Sequence, residues 1–131
     1  MIRKIINTDK APKAIGPYVQ ANIIGDFIFT SGQIPLDVIT SKIVGNSIEE
    51  QTKKVLENLS NILIESGSSL KQVFKTTVFL SDMNNFTRMN EVYSSFFAGE
   101  KLPSRSAVEV SRLPKDVLVE IEAIATLNPL N

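Results

Sequence analysis

Several stretches of this chain are apolar on both of the sides that a β-strand presents, and this constrains the fold more than any other feature. Successive strand residues point to opposite sides of a sheet. Phe27 and Phe29 alternate with Ile28, and Val78 and Leu80 alternate with Phe79. Only two stretches carry helical periodicity. Ser47-Ile48-Glu49-Glu50 fits a capping box, with Ser47 as N-cap and Glu50 at N3. The helix it opens places Val55, Leu59, Ile62 and Leu63 on one face and stops at Ser66-Gly67. Asp82 is an N-cap for a second helix, with Phe86, Met89, Tyr93, Phe96 and Phe97 at helical spacing and Gly99 closing it. Two helices cover one face of a sheet. The other face would remain a large apolar patch, so the sequence predicts an obligate homo-oligomer in which another subunit covers it.

The strands follow from turn signals and β-rich runs. Residues 3–8 form a short first strand, and Val19–Ile24 and Phe27–Ile34 flank the hairpin signal Gly25-Asp26. Pro35 to Gly45 is a loop or short ribbon, and Val73–Leu80 is dense enough in β-branched and aromatic residues to be central. The order β-β-β-α-β-α-β-β gives an α+β fold with one sheet and two helices. At 131 residues it is a single domain, 1–131, able to bury about two-thirds of its unfolded surface.

Composition removes several kinds of chemistry. The chain has no cysteine, so no disulfide, thiolate nucleophile or zinc–thiolate site is available. It has no histidine, which removes Ser-His-Asp and Cys-His catalysis and imidazole metal ligation. Acid–base work falls to carboxylates, Tyr, Lys or water. With 14 basic and 14 acidic side chains and no block of like charge, the electrostatic footprint of a nucleic-acid binder is missing. No run approaches membrane-spanning length and no signal peptide opens the chain, so a cytoplasmic protein with no membrane partner is expected.

The informative region is Leu102 to Ala125. Apolar-rich runs Arg105–Val110 and Val117–Ala125 flank Leu113-Pro114-Lys115-Asp116, a pattern of two strands and a short connection. In the first run Arg105, Ala107 and Glu109 point away from Val108 and Val110. In the second, Val117, Val119, Ile121 and Ala123 share a face, which leaves Glu120 and Glu122 opposite with Leu118 and Ile124. Two readings stand. One is a half-solvated hairpin with Arg–Glu cross-strand pairs, each contributing roughly 0.2–1 kcal/mol. The other is a site with a guanidinium to grip a carboxylate and a Glu to move a proton.

Taken in order, the pieces resemble the RidA (YjgF) family of reactive imine/enamine deaminases over nearly the whole chain. The likeness rests on Ala14-Ile15-Gly16-Pro17-Tyr18-Val19-Gln20, Thr30-Ser31-Gly32-Gln33-Ile34-Pro35, Lys75-Thr76-Thr77-Val78-Phe79 and Asn90 with Tyr93. Pro103-Ser104-Arg105-Ser106-Ala107-Val108-Glu109-Val110, Leu113-Pro114-Lys115-Asp116 and Val119-Glu120-Ile121-Glu122-Ala123 complete it. The resemblance implies a chorismate-mutase-like fold, one mixed sheet with both helices on one face, assembled as a homotrimer with a site in each inter-subunit cleft. It implies hydrolysis of 2-aminoacrylate, 2-aminocrotonate and related 2-imino acids, released by pyridoxal-phosphate enzymes, to 2-keto acid and ammonia. No metal or organic cofactor is implied.

The same resemblance makes Arg105 the carboxylate grip and Glu120 the proton-transfer group. Tyr18, Ser31, Gly32, Asn90 and the backbone at Ala107 become substrate-binding positions. An imine carbon is already electrophilic, so a positioned water suffices as nucleophile. Many relatives have cysteine where this chain has Ala107, and thiol-dependent regulation is therefore not expected; the Gly99–Leu102 connection is also short. Two other classes compete. One is an endoribonuclease or translation inhibitor, disfavoured by the missing histidine and zero net charge. The other is a non-catalytic small-carboxylate-binding or chaperone-like module, which would not need Glu120.

Overall fold

The computed structural model describes residues 1–130. Strands β1 (Arg3–Ile6), β2 (Ala21–Ile24) and β3 (Phe27–Thr30) precede helix α1 (Ile48–Glu65). Strand β4 (Val73–Leu80), helix α2 (Phe86–Phe96), β5 (Ser104–Glu109) and β6 (Val119–Thr126) follow. The strands make one sheet in the order β1-β2-β3-β6-β4-β5. Only β4 and β5 run parallel, so the sheet is mixed. The α+β architecture and element order agree with expectation.

Local chemistry sets the element ends. Ser47 Oγ accepts from Glu50 N at 3.1 Å, and Gly67, at φ 87°, takes the left-handed conformation that follows the Ser66 C-cap. Asp82 caps a 3₁₀ turn, Met83–Asn85, that feeds into α2 rather than capping α2 itself. Leu36 and Ile43 bridge within the 35–45 segment, which is a short ribbon. Strand β3 stops at Thr30, four residues short of the expected end. Ser31 N turns to Gln20 O at 2.8 Å, and the chain rejoins the sheet only through the Gln33–Ile121 bridge.

One expectation is overturned. β5 and β6 form no hairpin, because β4 lies between them. The α2 crossover from β4 delivers β5 parallel to its partner, as such connections require. The 110–118 segment then passes the end of β4, where Val110 N donates to Leu80 O at 2.9 Å and Ser81 N donates to Leu118 O at 3.2 Å. Cross-strand Arg–Glu pairs between β5 and β6 therefore do not exist. Arg105 lies opposite Thr76, and Glu120 lies opposite Phe79.

Both helices pack on one side of the sheet. Ile28, Thr76, Val78, Leu80, Val119 and Ile121 face them with no exposed surface. The other side is open: Phe27, Phe29 and Val108 remain 47, 44 and 43% exposed. This is the uncovered apolar face that the alternation predicted.

A buried amide organises the segment between β1 and β2. Gln20, 2% exposed, accepts from Thr8 N at 2.6 Å and donates through Nε2 to Thr8 O at 3.1 Å and Pro12 O at 2.8 Å. Replacing Gln20 with alanine leaves these backbone groups unpaired, at about 1–3 kcal/mol for each one that water cannot reach. Urea unfolding should show a lower midpoint with an unchanged m value.

Candidate active site

Arg105 extends from the edge strand β5 toward α2, on the helix side of the sheet. Its NH1 donates to Asn90 Oδ1 at 2.7 Å, and its guanidinium carbon lies 4.8 Å from the centre of the Tyr93 ring and 5.4 Å from that of Phe86. Tyr93 is itself fixed, its hydroxyl 2.7 Å from Thr76 Oγ1 and its ring 4.7 Å from Phe97. Burial pushes the Tyr93 hydroxyl above its ordinary range, against the opposing pull of the Thr76 hydrogen bond and the Arg105 charge. Arg105 forms no ion pair among the described residues. It faces an open cleft of about 400 Å³ lined by Asn90, Tyr93, Ser94, Phe97, Leu102 and Pro103. A half-buried guanidinium without a carboxylate is primed to take one from a ligand.

Glu120 occupies the opposite, open side of the sheet. Its carboxyl packs on the backbone of Gly32. A Cβ at Gly32 would collide with Glu120 Oε2 and lie 2.9 Å from its Cδ. Half-burial pushes the Glu120 carboxyl upward, and the neighbouring Glu122 carboxylate adds to the shift. No hydrogen-bond or ion-pair partner holds it among the described residues. The entry to β6 is pinned by Gln51, whose Oε1 accepts from Leu118 N at 2.8 Å and whose Nε2 donates to Gly45 O at 3.1 Å.

Gly32 and Tyr18 line one cleft of about 310 Å³ with Lys13, Ile34, Pro114 and Lys115. Tyr18 is half exposed, and its N–H donates to Gly16 O at 2.9 Å across a turn in which Gly16 has φ 125°. Ser31 Oγ donates to Val19 O at 2.5 Å, which ties the end of β3 to the Tyr18 segment. Since Gly32 has no positive φ, its value is space alone. The Gly32→Ala variant should fold with near-native stability and yet displace the Glu120 carboxylate. Circular dichroism melting and catalytic turnover, measured on one preparation, would show this as an unchanged melt with activity down at least tenfold, about 1.4 kcal/mol of barrier.

The candidate residues thus fall into two groups. Tyr18, Ser31, Gly32 and Glu120 gather on one part of the surface, and Arg105 with Asn90 on another. Ala107, aligned with Val78, packs partly against the helix-side core beside the second group. Face parity separates the two decisive residues: Arg105 shares the side of Thr76, and Glu120 the side of Phe79. Helical spacing alone gives Phe86 and Tyr93 as core stripe positions, although Tyr93 with Asn90 also carries part of the family resemblance. Their spacing with Asn90, at i, i+4 and i+7, was the available sign that one α2 face lies beside Arg105.

The remaining structural constraints are brief. No helix is long and apolar enough to cross a membrane. No group of three or more Asp or Glu among the described residues is placed to hold a metal ion.

Known proteins resemble this chain in sequence and fold over nearly its full length. A family model described as endoribonuclease L-PSP matches residues 8–127. A RutC family protein of Pyrococcus abyssi is 60% identical over 125 residues, covering 95% of this chain and 98% of that one. The crystal structure of Escherichia coli TdcF with bound serine superposes with a TM-score of 0.88 at 48% identity, covering 94% of this chain and 98% of that one. TdcF is provisionally named a reactive intermediate deaminase. The structure of the Escherichia coli YjgF gene product matches with a TM-score of 0.89 at 44% identity, covering 95% and 99%. By sequence and by fold, the chain belongs to the endoribonuclease L-PSP family, the family of RutC and RidA (YjgF) proteins.

Proposed function

We propose that this protein hydrolyses small 2-imino acids, the tautomers of 2-aminoacrylate and 2-aminocrotonate, to 2-keto acids and ammonia at a site shared between two copies of the chain. The observation that carries the reading is Arg105: a fixed, half-buried guanidinium at an open cleft with no carboxylate of its own. The relative TdcF, crystallised with serine, supports a ligand bearing an α-carboxylate and a nitrogen on the adjacent carbon.

In this reading Arg105 of one copy takes the substrate carboxylate, and Glu120 of the next copy faces the imine carbon. Water adds to that carbon as Glu120 removes its proton. Glu120 returns that proton to the imine nitrogen to give the carbinolamine, then carries the carbinolamine hydroxyl proton to the same nitrogen as the C–N bond breaks, which leaves the C=O of the keto acid and ammonia. Positioning supplies much of the rate, since the electrophile needs little activation. Tyr18 and Ser31 sit on the Glu120 side, where they border the incoming substrate.

Because Arg105 and Glu120 occupy opposite sides of one sheet, a substrate reaching both requires two different surfaces to meet. Such a contact stays finite only if it closes into a ring, and three copies is the ring the resemblance implies. The same contact would bury the exposed Phe27, Phe29 and Val108, each large side chain contributing roughly 1.5–3 kcal/mol when fully removed from water.

The activity is tested by generating imino acids in situ with an amino-acid oxidase, trapping the imine with semicarbazide and following its competition with hydrolysis. Wild-type protein should suppress the semicarbazone; no acceleration across several side chains would sink the deaminase reading. The shared site is tested by mixing. Arg105→Ala and Glu120→Gln chains, each strongly impaired alone at substrate concentrations well below KM, should regain about a quarter of the wild-type sites when exchanged at equal ratio, since one site draws on two copies in a cyclic assembly. Sites contained within one copy would give no recovery.

A further inference from the structure

We infer that Tyr93 and Phe86 are positioning residues that hold the Arg105 guanidinium between two aromatic faces, fixing its direction while leaving its hydrogen-bond donors open. This rests on the reading above, in which Arg105 grips a substrate carboxylate.

The geometry comes from α2. Phe86, Asn90 and Tyr93 stand on one stripe of the helix, and all three reach the same guanidinium: the rings at 5.4 and 4.8 Å from its carbon, the amide at 2.7 Å from NH1. The Tyr93 ring is held from behind. Its hydroxyl meets Thr76 Oγ1 at 2.7 Å, Thr76 has no exposed surface, and Phe97 packs at 4.7 Å with the planes tilted by 37°. The ring thus has little freedom to tilt away from the cation it supports.

The choice of aromatic rings has a chemical consequence. An arginine can be held as firmly by an aspartate or glutamate, but a carboxylate occupies the N–H fork and neutralises the charge that a ligand must meet. The face of a ring attracts the cation through its quadrupole and takes none of the in-plane N–H groups. Asn90 engages NH1, so the donors on Nε and NH2 remain without a partner among the described residues. The arrangement orients a flexible side chain ahead of ligand arrival, which reduces the ordering cost of binding. Tyr93 serves as a neutral ring, in keeping with the upward push that burial gives its hydroxyl.

Two independent readouts test this in the intact oligomer. In protein labelled with ¹⁵N-arginine, the Arg105 Nε–Hε signal is identified by its loss in Arg105→Lys. It should be ordered and shifted by the adjacent rings. Tyr93→Leu and Phe86→Leu should each return it toward the position of a free arginine and weaken its heteronuclear NOE. Both should also raise KM for 2-iminobutanoate generated in situ by roughly tenfold, the scale of one partly desolvated cation–π contact, with kcat changed much less. Tyr93→Phe, which retains the ring and loses only the Thr76 hydrogen bond, should restore both signal and KM. A merely structural role predicts the reverse split, with kcat, yield and melting temperature falling together. Phe86 is only half-buried, so Phe86→Leu carries the test if Tyr93→Leu does not fold. An unmoved Arg105 signal in folded leucine variants would overturn the clamp. A wild type that hydrolyses no imino acid would overturn the deaminase reading, and the Arg105 signal would still decide the clamp.

Discussion

Replacing Arg105 with alanine should lower kcat/KM for 2-imino acids by at least 10- to 150-fold, the kinetic equivalent of the roughly 1.5–3 kcal/mol contributed by a hydrogen bond to a charged group. The loss should be felt mainly in KM, because a carboxylate remote from the reacting bond is bound alike in ground and transition states. Arg105→Lys keeps the charge but replaces a planar fork with a point donor, and it should recover only part of the activity. The protein itself should tolerate either change. Arg105 sits on an edge strand, partly solvated, and the one hydrogen bond it surrenders leaves Asn90 Oδ1 within reach of water. Steady-state kinetics alongside size-exclusion chromatography would check both halves of the claim. A well-assembled Arg105→Ala protein with wild-type KM would remove the carboxylate grip.

The parts of this result that were legible in the sequence are those decided locally. Strand β4 is legible residue for residue because Val73–Leu80 is an unbroken β-rich run, and the start of α1 because Ser47 and Glu50 settle it between themselves. The face parity of β6 was also local: Val119, Ile121 and Ala123 are buried, and Glu120 lies on the other side. What could not be read is how strands relate to one another. Arg105–Val110 and Val117–Ala125 are neighbours in sequence with a turn between, so a hairpin was the natural reading. Yet the α2 crossover puts β4 in between. That one non-local fact assigns Arg105 and Glu120 to opposite sides of the sheet.

Two other features were invisible for related reasons. Gln20 sits in a stretch that reads as strand surface, and only the return of residues 8–12 over it shows that its amide is a buried anchor. Phe86 and Tyr93 look like core stripe, which Tyr93 in part is; their second role depends on where α2 crosses the sheet edge.

Glu120→Gln should separate chemistry from stability. If Glu120 transfers the proton, removing it should lower kcat by about 10²- to 10⁴-fold, the usual contribution of a general base, with KM for the same substrate nearly unchanged. Wild-type rate should fall in acid through a limb that lies above the ordinary carboxylate range, because half-burial first, and the Glu122 charge second, disfavour the ionised form. The limb should be absent in Glu120→Gln and should move to lower pH in Glu122→Gln, where the repelling charge is gone. The stability sign is opposite to that of a paired carboxylate. The native state holds this proton more tightly than the unfolded chain, so the contribution is fully present below the unfolded pKa and is lost as pH rises through the folded one. Glu120→Gln should therefore melt no lower than wild type near neutrality, with any gain vanishing in acid where both side chains are uncharged. A variant that loses activity while keeping or gaining stability is what a residue retained for chemistry predicts. A variant that melts early and keeps its acid limb would place the proton transfer on another group, with Tyr18, across the same cleft from Gly32, the first to replace.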